Sequence, residues 1–154
     1  MQKITTFLTF NDKAEEAAML YTSIFKDSKI INMTHYAKAV PQLGGKVMTV
    51  EFELANQKYL ALNGGSHFTF SDGISLAVSC ADQAEIDELW DKLTANGGAP
   101  GQCGWLKDPF GVSWQIVPAN MGQLLSGADP AQSQRKMAAM MQMHKIDIAA
   151  LEQA

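Results

Sequence analysis

Period-two alternation opens the chain. Ile4, Leu8 and Phe10 oppose Thr5, Phe7 and Thr9, which predicts a strand over residues 4–10. The spacing then turns helical, with Ala17, Leu20, Tyr21 and Ile24 on one stripe of a helix over about 12–25. Residues 29–36 read as a second strand, and Pro41-Gln42-Leu43-Gly44-Gly45 breaks the chain. Residues 47–54 and 58–63 form a hairpin turning near Ala55-Asn56-Gln57. The first half is therefore β-α-β-β-β. A connector from Gly64-Gly65 to Asp72-Gly73 leads to a strand over 74–80. A helix over about 82–95 follows, with Ile86, Leu89, Trp90 and Leu93 on its stripe and Asn96-Gly97-Gly98 at its end. Beyond it the chain is compressed. Only 102–107 and 112–117 read as strands, joined by Asp108-Pro109-Phe110-Gly111.

The two halves echo each other. Residues 4–15 return seventy positions later as residues 74–85, each a strand running into a helix through an Asp-x-x-Glu capping box. The helix stripes are sixty-nine apart, so the repeat slips by one residue. The predicted fold class is α+β: paired βαβββ modules in a single domain over 1–154, with half-modules at about 1–64 and 73–118. A helical extension over about 119–154 has no counterpart in the first half. Asp129-Pro130 starts its main helix, which carries Met137, Met140, Met141 and Met143 as a packing stripe for core or subunit contact. Residues 147–153 add a last turn or two.

The same alternation sorts the strand faces. Ile74, Leu76, Val78 and Cys80 oppose Ser75, Ala77 and Ser79, and Val112, Trp114 and Ile116 oppose Ser113, Gln115 and Val117. The apolar sets are expected under the helices. The small hydroxyl sets are expected to line a neutral cavity made by Thr5, Thr9, Ser75, Ser79, Asn63 and Gln115, or else to be the solvent face of a half-buried sheet.

Composition narrows the function without deciding it. The chain of 154 residues is 47% apolar and 18% charged, with a formal net charge of −4. No basic stripe is present to displace counterions from phosphates, so nucleic acid is not an expected partner. Two cysteines, Cys80 and Cys103, suit a reducing compartment better than a disulfide framework. No stretch approaches a membrane span or resembles a signal peptide, and the expected location is cytoplasmic.

Several segments carry a resemblance. Residues 7–10, 47–52, 61–65, 103–108, 110–118 and 145–148 resemble the PhnB-like branch of the vicinal oxygen chelate superfamily, which includes glyoxalase, bleomycin-resistance and extradiol dioxygenase proteins. The Cys-Gly-Trp-Leu-Lys-Asp through Gln-Ile-Val-Pro block is the specific part. The resemblance implies paired βαβββ modules, a curved sheet around a cavity and a homodimer. In metal-dependent relatives, His and Glu from the first and last strands of each module hold a divalent ion. The corresponding positions are Thr5, Ser75 and Gln115, with a fourth near Ala61 or Asn63. Neutral hydroxyls and amides bind such ions weakly, and His35, His67 and His144 share no ligand-like spacing, so no metal and no cofactor is expected. The compressed second module is expected to open one side of the cavity, for the C-terminal helix of a partner to close.

Three functions follow. The first is a metal-free binding protein for a small organic ligand, with Asn63 and Gln115 orienting it and Phe7 and Trp105 giving apolar contact. The second is an enzyme of the same superfamily using His67 or Glu51 as acid or base, each set against a plain surface role, or using a metal bound in an unexpected way. The third is the 3-demethylubiquinone-9 3-methyltransferase activity by which the branch is often labelled. No Gly pair here opens a helix after a parallel strand, as an S-adenosylmethionine site on a Rossmann-like sheet requires. Cys103 has no basic neighbour in sequence to activate it as a nucleophile.

Overall fold

The first alternating run folds as β1 (Thr6–Phe10), which lies parallel to β4 (Gln57–Asn63) in a sheet of order β1-β4-β3-β2. β2 (Lys29–His35) and β3 (Val47–Leu54) complete that sheet, with α1 (Ala14–Ile24) packed on one face. The computed structural model describes all 154 residues and has two units, Met1–Phe70 and Ser71–Ala154.

In the first unit, Leu8, Phe10, Val50, Phe52, Leu54, Tyr59 and Ala61 are buried on the helix side. Burying the larger of these side chains stabilises by about 1.5–3 kcal/mol each. Phe52 stacks on Tyr59 at 5.6 Å between ring centroids and meets Tyr21 at 6.2 Å. Ala14, Ala17, Ala18 and Tyr21 carry the buried stripe of α1, whereas Leu20 and Ile24 are only half-buried. The alanines let the helix sit close to the sheet. The β3–β4 turn places Ala55 and Asn56 at φ 48° and 66°, as a tight hairpin turn requires.

The capping box expected at Asp12 does not form. Asp12 has φ 65°, and the N-cap is Lys13, which makes no side-chain cap bond. Asn63 of β4 supplies the cap instead, its Oδ1 accepting from the Ala14 N–H at 2.9 Å. The one-residue slip of the repeat lies here, because α1 begins one residue late relative to β1.

The second unit repeats the plan in shorter form. β5 (Leu76–Cys80), β6 (Ala99–Pro100), β7 (Trp105–Lys107) and β8 (Ser113–Pro118) form a sheet of order β5-β8-β7-β6. α2 (Gln83–Thr94) buries Ile86, Leu89, Trp90 and Leu93, the stripe read from the sequence. Its cap is local. Asp82 Oδ1 accepts from the Glu85 N–H at 2.9 Å, and Glu85 Oε2 accepts from the Ala81 N–H at 2.7 Å. The strand expected over 102–107 is shorter, because 102–105 is a turn. The missing third strand is the two-residue β6 before it, so the module is complete.

After β8 come α3 (Met121–Leu125), α4 (Pro130–Met141) and α5 (Ile148–Gln153). The sequence pattern does not reveal α3, which is too short for a periodic signal. Asp129 and Asp147 cap α4 and α5 from the Gln132 and Ala150 N–H groups. Leu124, Ile146 and Leu151 form a small core joined by Met140 and Met143, while Met137 and Met141 are exposed. Lys136 is buried, and its Nζ donates to the Leu151 carbonyl at 2.9 Å near the C-terminus of α5, where a cation is favoured. No helix is long and apolar enough to cross a membrane.

This extension is tied to α2 by Lys145, whose Nζ lies 2.8 Å from Asp87 Oδ1. The hydrogen bond from Lys145, and next that from Gln83, hold the Asp87 carboxyl below the usual carboxylate range. A carboxyl pKa lowered on folding contributes stability above its unfolded value and loses it as pH falls through the folded one. Acidification below the usual carboxylate range is therefore expected to speed amide exchange at Ile148 relative to Val78 in β5. Equal change at both amides would refute this coupling.

Candidate functional site

The helix-free face of the second sheet brings together four of the residues singled out in the sequence. β5 and β8 run parallel with Ala77 beside Gln115, and β7 runs antiparallel to β8 with Trp105 beside Gln115. Paired residues share a face, so Ser75, Ala77, Ser79, Gln115 and Trp105 lie together. Gln115 Nε2 donates to Ser75 Oγ at 2.9 Å. Lys107 flanks this neutral patch and is matched by Asp72 at 2.7 Å. The opposite face buries Leu106, Trp114 and Ile116 under α2.

The helix-free face of the first sheet holds Phe7 and Thr9 beside Leu60 and Leu62, then Thr49, Glu51 and Glu53. Thr5 is half-buried just before β1. Phe7 is 53% exposed, a large ring about half open to solvent. Glu51 is half-buried and lies 3.7 Å from Lys58 Nζ, so any base at this position works beside a cation. Lys29 and Glu53 approach to 3.9 Å, and the Thr34 and Thr49 hydroxyls share a hydrogen bond at 2.5 Å.

Asn63 does not belong with these residues. It lies on the helix side, where Oδ1 caps α1 and Nδ2 donates to the Val47 carbonyl at 3.0 Å. Its amide has structural partners at both ends, and a ligand-orienting role for it is set aside. His67 is exposed in the connector, 4.3 Å from the Phe68 ring between centroids. No carboxylate is hydrogen-bonded to it in the way that orients a catalytic imidazole.

The donors at the expected ligand positions are neutral, and neutral donors hold divalent ions weakly. Nowhere do three His, Cys, Asp or Glu side chains converge. Thr5, Ser75 and Gln115 offer hydroxyl and amide oxygens, and Gln115 already donates to Ser75.

The two thiols differ in surroundings. Cys80 is buried, and burial, followed by the charges of Glu85 and Asp82, pushes its thiol up to about 12. Cys103 is half-buried in the 102–105 turn. A maleimide in mildly alkaline buffer is expected to modify Cys103 quickly and Cys80 only on unfolding. Prompt labelling of both in the native state would contradict the burial of Cys80.

Two βαβββ units with mixed sheets, a helix on one face and an open opposite face define a glyoxalase/bleomycin resistance-like fold. The structure is similar to a putative 3-demethylubiquinone-9 3-methyltransferase, PhnB protein, from Bacillus cereus, with 38% identity and a TM-score of 0.69 over 75% of this chain and 99% of that one. It is also similar to protein PA1353 from Pseudomonas aeruginosa, with 19% identity and a TM-score of 0.62 over 77% and 98% of the two chains. A third likeness is to the fosfomycin resistance protein FosX from Listeria monocytogenes, complexed with Mn(II) and sulfate ion, at 14% identity and a TM-score of 0.53 over 80% and 95%. The last two show the fold alone. No curated protein matches the chain. The profile of the 3-demethylubiquinone-9 3-methyltransferase family matches residues 2–117. The chain belongs to this PhnB-like family.

Proposed function

We propose that the protein binds a small, weakly polar organic molecule on its open sheet faces and orients it with neutral donors rather than with a metal. The observation that carries this reading is the Ser75–Gln115 hydrogen bond beside Trp105; Ser75 and Gln115 are the positions to which the resemblance assigns metal ligands. Hydroxyl and amide groups suit a carbonyl or phenol, and an indole face suits a flat ring. Calorimetry and thermal-shift screens of small aromatic and quinone-like compounds test it. Gln115→Ala is expected to weaken any hit about tenfold, the worth of one hydrogen bond. A stoichiometric metal in native, chelator-free protein that is lost in Gln115→Ala would overturn the neutral-donor reading.

A second reading rests on Glu51, a half-buried carboxylate on an open face that also carries Phe7. In that reading the bound molecule is turned over, and Glu51→Gln abolishes turnover while leaving binding intact. The activity in the family's description is the less favoured reading. The β1–α1 and β5–α2 connections, Asn11-Asp12-Lys13 and Ala81-Asp82, contain no glycine to cradle a cofactor. Titration with S-adenosylmethionine tests it directly. Both cysteines are free, in keeping with a reducing cytoplasm, and the exposed Phe7, Met137 and Met141 are in keeping with a homodimer.

A further inference from the structure

The turn that launches Trp105 is held in shape from outside. Cys103 and Gly104 have φ of 56° and 87°, and the Trp105 N–H donates to the Gln102 carbonyl at 3.0 Å. Both central residues are thus left-handed, the tight-turn geometry that favours Asn-Gly and disfavours a side chain such as cysteine. The two central N–H groups do not face water. The Cys103 N–H donates to the Met143 carbonyl at 2.8 Å, and the Gly104 N–H to the His144 carbonyl at 2.7 Å. His144 Nδ1 lies 2.7 Å from the Gly101 carbonyl.

The segment that accepts these bonds is itself pinned. Gln83, in the first turn of α2, donates from Nε2 to the Ile146 carbonyl at 2.9 Å and accepts at Oε1 from the Ile148 N–H at 2.8 Å. Ile146 is fully buried, with Cγ1 only 3.0 Å from where a Cβ on Gly104 would stand.

We infer that residues 143–147, anchored by Gln83, are a positioning clasp for Trp105. By taking both amides of the turn they hold Cys103 and Gly104 left-handed, and so fix the direction in which Trp105 leaves the turn onto the open face. The functional meaning of the clasp rests on the binding role proposed for that face; its geometry does not. Gln83 touches no residue of the open face and reaches the turn only through the segment it anchors.

The test uses full-length, ligand-free protein labelled with 5-fluorotryptophan, with the signal of Trp105 assigned by Trp105→Phe. Gln83→Ala is expected to move and broaden the Trp105 fluorine resonance while the Trp114 resonance stays in place. Adding Cys103→Asn to Gln83→Ala is expected to return Trp105 toward its original position, because asparagine tolerates the left-handed region without help. An unmoved Trp105 resonance in Gln83→Ala overturns the inference. So does a joint shift of Trp105 and Trp114, which would mean general loosening, or a failure of Cys103→Asn to restore Trp105. If Gln83→Ala folds poorly, Asp87→Asn weakens the acceptor shared by Gln83 Nε2 and Lys145 Nζ, and it is expected to move the Trp105 resonance the same way by less, with Trp114 in place; no movement there overturns the inference as well. No ligand takes part, so failure to find one for the open face leaves this readout unaffected.

Discussion

Asp108→Ala is expected to destabilise the second unit by about 3–5 kcal/mol, because it strands several buried donors at once. Asp108 is 2% exposed. Its Oδ1 accepts from the Phe110 N–H at 2.9 Å and the Val112 N–H at 3.0 Å, and its Oδ2 accepts from Trp114 Nε1 at 2.9 Å. The same carboxylate therefore shapes the Asp108-Pro109-Phe110-Gly111 turn and fixes the indole beneath α2. Alanine removes the acceptor and leaves the indole N–H and the Val112 amide in an apolar setting. Each such group costs about 1–3 kcal/mol. Asp108→Asn keeps one acceptor oxygen and is expected to fall between the two. Urea unfolding followed by tryptophan fluorescence gives the number. A midpoint unchanged from wild type would mean that water replaces the carboxylate at no cost, and the assignment would fail.

Gly104→Ala is the second large effect, at about 2–4 kcal/mol of lost stability. Two causes add. The residue sits at φ 87°, where a side chain is strained, and its new Cβ would stand 3.0 Å from both the Ile116 carbonyl oxygen and Ile146 Cγ1. Gly97 separates the two causes. It has φ 106°, and a Cβ added there would meet nothing within 4 Å, so Gly97→Ala carries the backbone penalty alone, about 1–2 kcal/mol. Thermal unfolding of the two variants side by side tests the argument. Equal losses would show that the clasp leaves room at Gly104.

Local pattern made most of the fold legible. The period-two runs and the helix stripes locate β1, β3, β4, β5, β8 and α2 to within a residue or two, because each is set by which side chains meet the core. The two Asp-x-x-Glu copies show where that logic stops. Asp82 caps α2 as its sequence suggests, whereas Asp12 gives way to Asn63, forty-nine residues from Ala14. The winner there is a tertiary bond that no local window contains. The site divides in the same manner. Alternation places Ser75, Ser79 and Gln115 on one face, and the β7–β8 register adds Trp105, but alternation cannot tell that Asn63 on its strand serves a helix. Gln83 carried no signal at all, since its importance comes from carbonyls and amides sixty-three and sixty-five residues away.

The remote cap on α1 also sets a timetable for the growing chain. α2 carries its own cap in Asp82 and gains it as soon as Glu85 has been added. α1 has no such provision. The ribosome must add a further forty-nine residues after Ala14 before Asn63 exists, a delay of roughly 2–10 s at ordinary elongation rates. The helix made first is thus the one completed by a later strand, and the N-terminal segment waits for β4 as it emerges.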